Sequence, residues 1–103
     1  MVKTESYKEN LLESLKNPPA AAEYLTACLK DADVDVFLLA LRDVADAQGG
    51  LRKLSGRTKL NRENLYRMLS RAGNPSLSSL DSVLGSLGLR LAVAPRQQAD
   101  AHR

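Results

Sequence analysis

Residues 51–70, LRKLSGRTKLNRENLYRMLS, hold two short helical patterns separated by a turn of about three residues. Neither is long enough to persist alone in water, so both must pack on something else in the chain. Two helices crossing over so short a turn also need a small residue at the crossing and buried aliphatics at fixed offsets. Ser55 meets the first need, and Leu54, Leu60, Leu65 and Leu69 meet the second. Asn61 stands where the second pattern begins and can cap it by accepting otherwise unpaired backbone N–H groups. A chain committed to this hairpin is predicted to be all-α.

With the leucines inward, Arg62, Glu63, Tyr66 and Arg67 point outward, and Asn64 lies on the flank. Those residue types match base edges: arginine pairs with guanine, asparagine with adenine, glutamate accepts from cytosine, and a tyrosine ring packs on the thymine methyl. The predicted base-reading set is therefore Arg62, Glu63, Tyr66 and Arg67, with Asn61 and Asn64 as contributors. Lys53, Arg57, Lys59 and Arg71, joined by Arg52, surround the turn and can hold phosphates, which sets affinity and salt dependence and carries little sequence information. Residues 51–71 hold seven basic side chains against Glu63 alone. The alternative is a solvated helical face with Glu63 and Arg67 as an i,i+4 ion pair.

The rest of the chain reads as helices too. Leu11, Leu12 and Leu15 share one side of a pattern over about residues 7–16. Asn17-Pro18 suits an N-cap and first helical position, opening a helix to about residue 31 with Ala21, Tyr24, Leu25, Cys28 and Ala32 as its stripe. Asp33 is the next expected cap, followed by a helix over about residues 34–48. Its apolar face is Val34, Phe37, Leu38, Leu41, Val44 and Ala45, with Asp35, Arg42 and Asp46 opposite. Leu39 falls among the polar residues, as a lone surface leucine or part of a partner-binding patch. Gly49-Gly50 should end this helix through left-handed backbone.

Ser76 should cap a last helix over residues 77–87, with Leu77, Leu80, Val83, Leu84 and Leu87 at helical spacing and Gly88 as its stop. Leu89-Arg90-Leu91-Ala92-Val93 alternates with period two and reads as one short C-terminal β-strand. A lone strand needs an outside partner, so Leu89, Leu91 and Val93 are expected to pair with a second copy, making a homodimer, or else to dock on another protein. The expected organisation is an N-terminal helix or arm at residues 1–16, a helix-turn-helix domain at 17–94 and a disordered tail at 95–103.

Composition narrows the function classes. At 103 residues, with hydrophobic residues at 44% and aromatics at 4%, one leucine- and alanine-rich core is expected. Cys28 is the single cysteine, so it forms no disulfide within the chain and reads as a core thiol, not a nucleophile. The single histidine, His102, lies in the tail, no glycine-rich phosphate loop occurs, and Asp31, Asp33 and Asp35 lack an EF-hand's glycine and closing glutamate. No enzyme, cofactor or metal site is expected. A polar N-terminus and the lack of a long apolar run predict a cytoplasmic protein with no membrane segment.

The net charge of +3 divides unevenly. Residues 1–48 carry 5 Lys/Arg against 9 Asp/Glu, net −4, and residues 49–103 carry 10 against 3, net +7. The basic half should face a polyanion, double-stranded DNA in this reading.

Together, DVFLLALRDVADAQGG, then LRKLSGRTKLNRENLYRMLS, then GNPSLSSLDSVLGSLGLRLAV resemble the probable addiction-module antidote proteins, antitoxins of the HigA-like type, over about residues 18–94. That resemblance implies a lambda-repressor-like bundle of five to six helices carrying a Cro/C1-type helix-turn-helix. In the wider repressor pattern a glycine often occupies the turn where Lys59 stands. The resemblance also implies a RelE/HigB-like toxin partner and repression of a shared promoter by a dimer on a palindromic operator. The acidic half would suit a basic toxin, or is simply a solvated surface. A phage-type repressor without a toxin, and an interaction module that does not read DNA, are the alternatives.

Overall fold

The helix that buries the most side chains occupies the centre of the chain. In the computed structural model, which describes residues 4–31 and 34–96, this is the third of six helices. In order they are α1 (Thr4–Ser14), α2 (Pro18–Asp31), α3 (Val34–Ala47), α4 (Gly50–Arg57), α5 (Arg62–Met68) and α6 (Leu77–Ser86). α3 buries Phe37, Leu38, Ala40, Leu41, Val44, Ala45 and Ala47, and α1, α2 and α4 pack against it. Each leucine or valine so enclosed contributes about 1.5–3 kcal/mol of transfer free energy. Leu15, Ala21 and Leu25 close the core from the N-terminal side, and Leu51, Leu54, Leu65, Leu69, Val83, Leu84 and Leu87 from the other.

Two residues of the expected apolar faces lie outside this core. Val34 is 61% and Leu77 72% exposed. Each is the first residue of its helix, so it continues the apolar stripe in register but stands past the packed length. Ala32, Asp33 and most of the expected tail lie outside the described residues.

Helix ends follow the capping residues. The main-chain carbonyl of Asn17 accepts the Ala21 N–H at 2.9 Å just ahead of Pro18. Gly49 and Gly50 adopt φ of 114° and 86°, turning the chain from α3 into α4. The Asn61 side chain accepts the Asn64 N–H at 2.7 Å, and Ser76 accepts the Ser79 N–H at 3.1 Å. α6 closes with a Schellman arrangement: Gly88, at φ 82°, donates to Gly85 O at 3.1 Å, and Leu89 donates to Leu84 O at 2.8 Å. Gln48 Nε2 and an Arg57 guanidinium nitrogen add bonds to Leu87 O and Ser86 O at 3.2 and 3.3 Å.

The expected C-terminal strand is not formed. Residues 89–96 follow α6 without regular structure, and no strand occurs among the described residues. Alternation supplied one candidate edge, but a ladder needs a second, and this single chain of helices offers none. Leu89 packs partly against the core, whereas Leu91 and Val93 stay exposed.

Gly73 passes so close to α5 that an added Cβ would overlap the carbonyl oxygens of Arg67 and Met68. Gly56, on the outside of α4, has nothing nearby. In urea unfolding, Gly73→Ala should therefore lose about 1–3 kcal/mol, while Gly56→Ala gains about 0.4–1 kcal/mol. Equal effects at the two sites would contradict this packing. Asn61→Ala should cost about 1 kcal/mol by the same measurement, and Asn61→Ser much less, because serine restores the cap.

Candidate nucleic-acid interface

α4 and α5 are joined by residues 58–61, a connection that closes without any left-handed residue. Thr58 supplies what a glycine would otherwise provide. Its N–H and hydroxyl both bond to Leu54 O, at 2.9 and 3.1 Å, and its hydroxyl oxygen accepts the Leu60 N–H at 3.2 Å. Lys59 therefore stands in the turn, exposed, with ordinary backbone geometry.

Which face α5 presents is decided by Leu65, fully buried, and by Leu69 just beyond the helix, 1% exposed. With these inward, Arg62, Glu63, Tyr66 and Arg67 are brought together on the exposed side. Asn64 is half-buried on the flank, as its spacing predicts. Asn61 is exposed, but its oxygen is committed to the helix cap. The i,i+4 pair of Glu63 and Arg67 does not form; the ion pair among the described residues is Glu13–Lys16, at 3.1 Å. The outer face of α5 is thus a set of polar groups with hydrogen-bonding capacity to spare.

The predicted phosphate-contacting residues divide. Arg52 and Lys53 on α4, Lys59 in the turn and Arg71 after α5 are all exposed. Arg57 reaches instead to the C-terminus of α6, where its bond to Ser86 O occupies one guanidinium nitrogen. A cation suits that position, since the unsatisfied carbonyls of a helix C-terminus carry partial negative charge.

Two features of the site are not readable from residue spacing. Arg42, on α3, lies with its guanidinium carbon 4.8 Å from the centroid of the Tyr66 ring. No local pattern announces that contact, because it joins helices distant in sequence. The second is an open cavity of about 340 Å³ beside α5, with Asn64, Arg67, Asn74, Ser76 and Ser79 among its lining. It lies against the start of α6, where the polar run Asn74 to Ser79 gave only a cap signal. Among the described residues no group of side chains fit to hold a metal ion occurs, and no helix is long and apolar enough to cross a membrane.

Comparison with known proteins bears on the same region. A family model described as "Probable addiction module antidote protein" matches residues 5–95, spanning all of α2 to α6 and nearly all of α1. An uncharacterized protein of Haemophilus influenzae is 30% identical over 91 residues, covering 87% of this chain and 93% of that one. No solved structure matches. The match takes in the core, the α4–α5 hairpin and the closure of α6 together, and the chain belongs to the probable addiction module antidote protein family.

Proposed function

We propose that this chain is the antitoxin of a toxin–antitoxin module and that it reads operator DNA through α5. Family membership supports the antidote role. The observation that carries the DNA reading is the outer face of α5, where Arg62, Glu63, Tyr66 and Arg67 stand exposed and clear of ion pairs among the described residues. Lys53, Lys59 and Arg71 flank that face and would hold the phosphates. In this reading α2 to α6 form a lambda-repressor-like unit, with α4 crossing the backbone and α5 lying in the major groove. The protein represses its own operon in the cytoplasm and neutralises a RelE/HigB-like toxin.

Sequence choice and grip are separate tasks in this arrangement. Arg62→Ala should cost about 1–3 kcal/mol on the preferred site and relax its base preference. Lys53→Ala should weaken all sequences alike and lower the slope of affinity against salt by about one. Gel-shift titrations on the DNA upstream of the gene, repeated across salt concentrations, separate the two effects. An unchanged footprint and affinity after combined Arg62→Ala and Arg67→Ala would overturn the assignment, and a weak, sequence-indifferent shift by the unaltered protein would leave a pure interaction module.

A palindromic operator calls for two copies, and we place their contact at Leu91 and Val93, which are 41% and 101% exposed beyond the packed core. Burying such side chains is the usual driving force for association. Light scattering after size exclusion should give a dimer for the unaltered chain and a monomer after Leu91→Asp with Val93→Asp. A monomer for the unaltered chain at high concentration would refute the pairing.

A further inference from the structure

Arg42 sits on α3 among carboxylates, with Asp43 next to it and Asp46 four residues on. The expected partner of an arginine in that setting is the i,i+4 carboxylate. Among the described residues Arg42 makes no such ion pair. Its guanidinium lies over the Tyr66 ring instead, 4.8 Å from the centroid. Neither acid forms an ion pair with it. Asp43 already accepts the Tyr24 hydroxyl at 2.9 Å. Burial raises the Asp46 carboxyl above its ordinary range, against the pull of Arg42 and Lys8.

The contact also crosses a gap in the packing. α4 packs against α3 and α5 packs against α4, but α3 and α5 are not a principal packing pair. Arg42 is thus a side-chain strut from the rigid central helix to the outer face of α5. Tyr66 needs one, because a ring that is 48% exposed on a seven-residue helix has little packing to select a rotamer. A cation on one face of the ring holds it, leaving the other face and the hydroxyl free to meet a ligand.

We propose that Arg42 is a positioning residue for sequence readout, holding the Tyr66 ring in the one orientation in which it packs against a thymine methyl in the major groove. The proposal rests on the reading of α5 as the recognition helix. It adds a determinant from the acidic half of the chain. Arg42 acts through Tyr66, and reading a base with a ring already fixed avoids the ordering cost of fixing it on binding.

The test uses a synthetic duplex selected from a random-sequence pool by the unaltered protein. Each thymine in it is replaced in turn by deoxyuridine, which lacks only the methyl group. The position at which Tyr66→Ala abolishes the thymine-over-uracil preference is the one Tyr66 reads. At that position Arg42→Ala should bring the preference towards one and weaken binding by roughly 2- to 30-fold, the range spanned by a cation–π contact. Arg42→Lys, which keeps the cation, should retain part of the preference, and Tyr66→Phe, which keeps the ring, most of it. The salt slope should not change, and far-UV circular dichroism should confirm that each variant is folded.

An Arg42→Ala protein with full thymine preference overturns the proposal. If its binding is also uniformly weaker with a shallower salt slope, Arg42 is a phosphate contact. Tyr66→Ala without effect on any thymine overturns it equally, while leaving α5 as the reading helix. An unaltered protein that selects no sequence from the pool overturns the reading of α5 itself.

Discussion

The burial of Leu65 governs the geometry of the candidate site. α5 has seven residues and cannot hold helical structure in water by its own hydrogen bonds. What keeps it helical is its docking, with Leu65 at 0% and Leu69 at 1% exposure and the Asn61 cap closing its first turn. The same docking fixes its rotation. A helix turns about 100° per residue, so once Leu65 faces inward, Glu63 and Arg67 face out and Tyr66 stands on the flank, while Arg62, one turn before Leu65, is exposed at the first position of the helix. Stability and the presentation of polar groups are therefore consequences of one packing event, and a change that loosened Leu65 would blur both.

The C-terminal end of α6 distributes basic side chains in a way that a charge count does not. A helix that stops at Leu87 leaves carbonyls to be satisfied, and the chain meets them with Gly88, Gln48 and Arg57 together. Arg57 thereby ties α4 to α6 across the back of the hairpin. Of the other basic residues around the turn, Arg52, Lys53, Lys59 and Arg71 are left exposed.

The helices were legible in the sequence because their signals are local. Caps at Asn61 and Ser76, glycines at 49, 50 and 88, and apolar residues at helical spacing act within a turn or two. What spacing does not encode is where neighbouring elements end. Val34 and Leu77 keep the period of their helices yet stand exposed at the first position of each. The alternation of Leu89, Leu91 and Val93 failed as a strand signal for a related reason: alternation describes one edge, and pairing depends on another. Glu63 and Arg67 were legible as outward residues of α5, since burying Leu65 turns them away, whereas Arg62 owes its exposure to its place at the helix start. The Arg42–Tyr66 contact was not legible, because it depends on how three helices stack.

The acidic half is less of a uniform negative surface than its formal charge suggests. Glu13 is paired with Lys16 at 3.1 Å, and Asp43 is engaged by the Tyr24 hydroxyl, whose own ionisation is pushed up by burial and by that bond. Asp46 is partly desolvated, with its carboxyl raised. Glu9 and Glu23 stand exposed on α1 and α2. A basic partner attracted to this half would meet a few separated carboxylates alongside apolar residues such as Tyr7 and Leu29, at 64% and 52% exposure. Attraction between exposed charges is screened within about 10 Å at moderate salt, whereas burial of apolar surface is not. Charge complementarity would then steer the approach, and the exposed apolar side chains of α1 and α2 would supply the more salt-resistant part of any lasting complex.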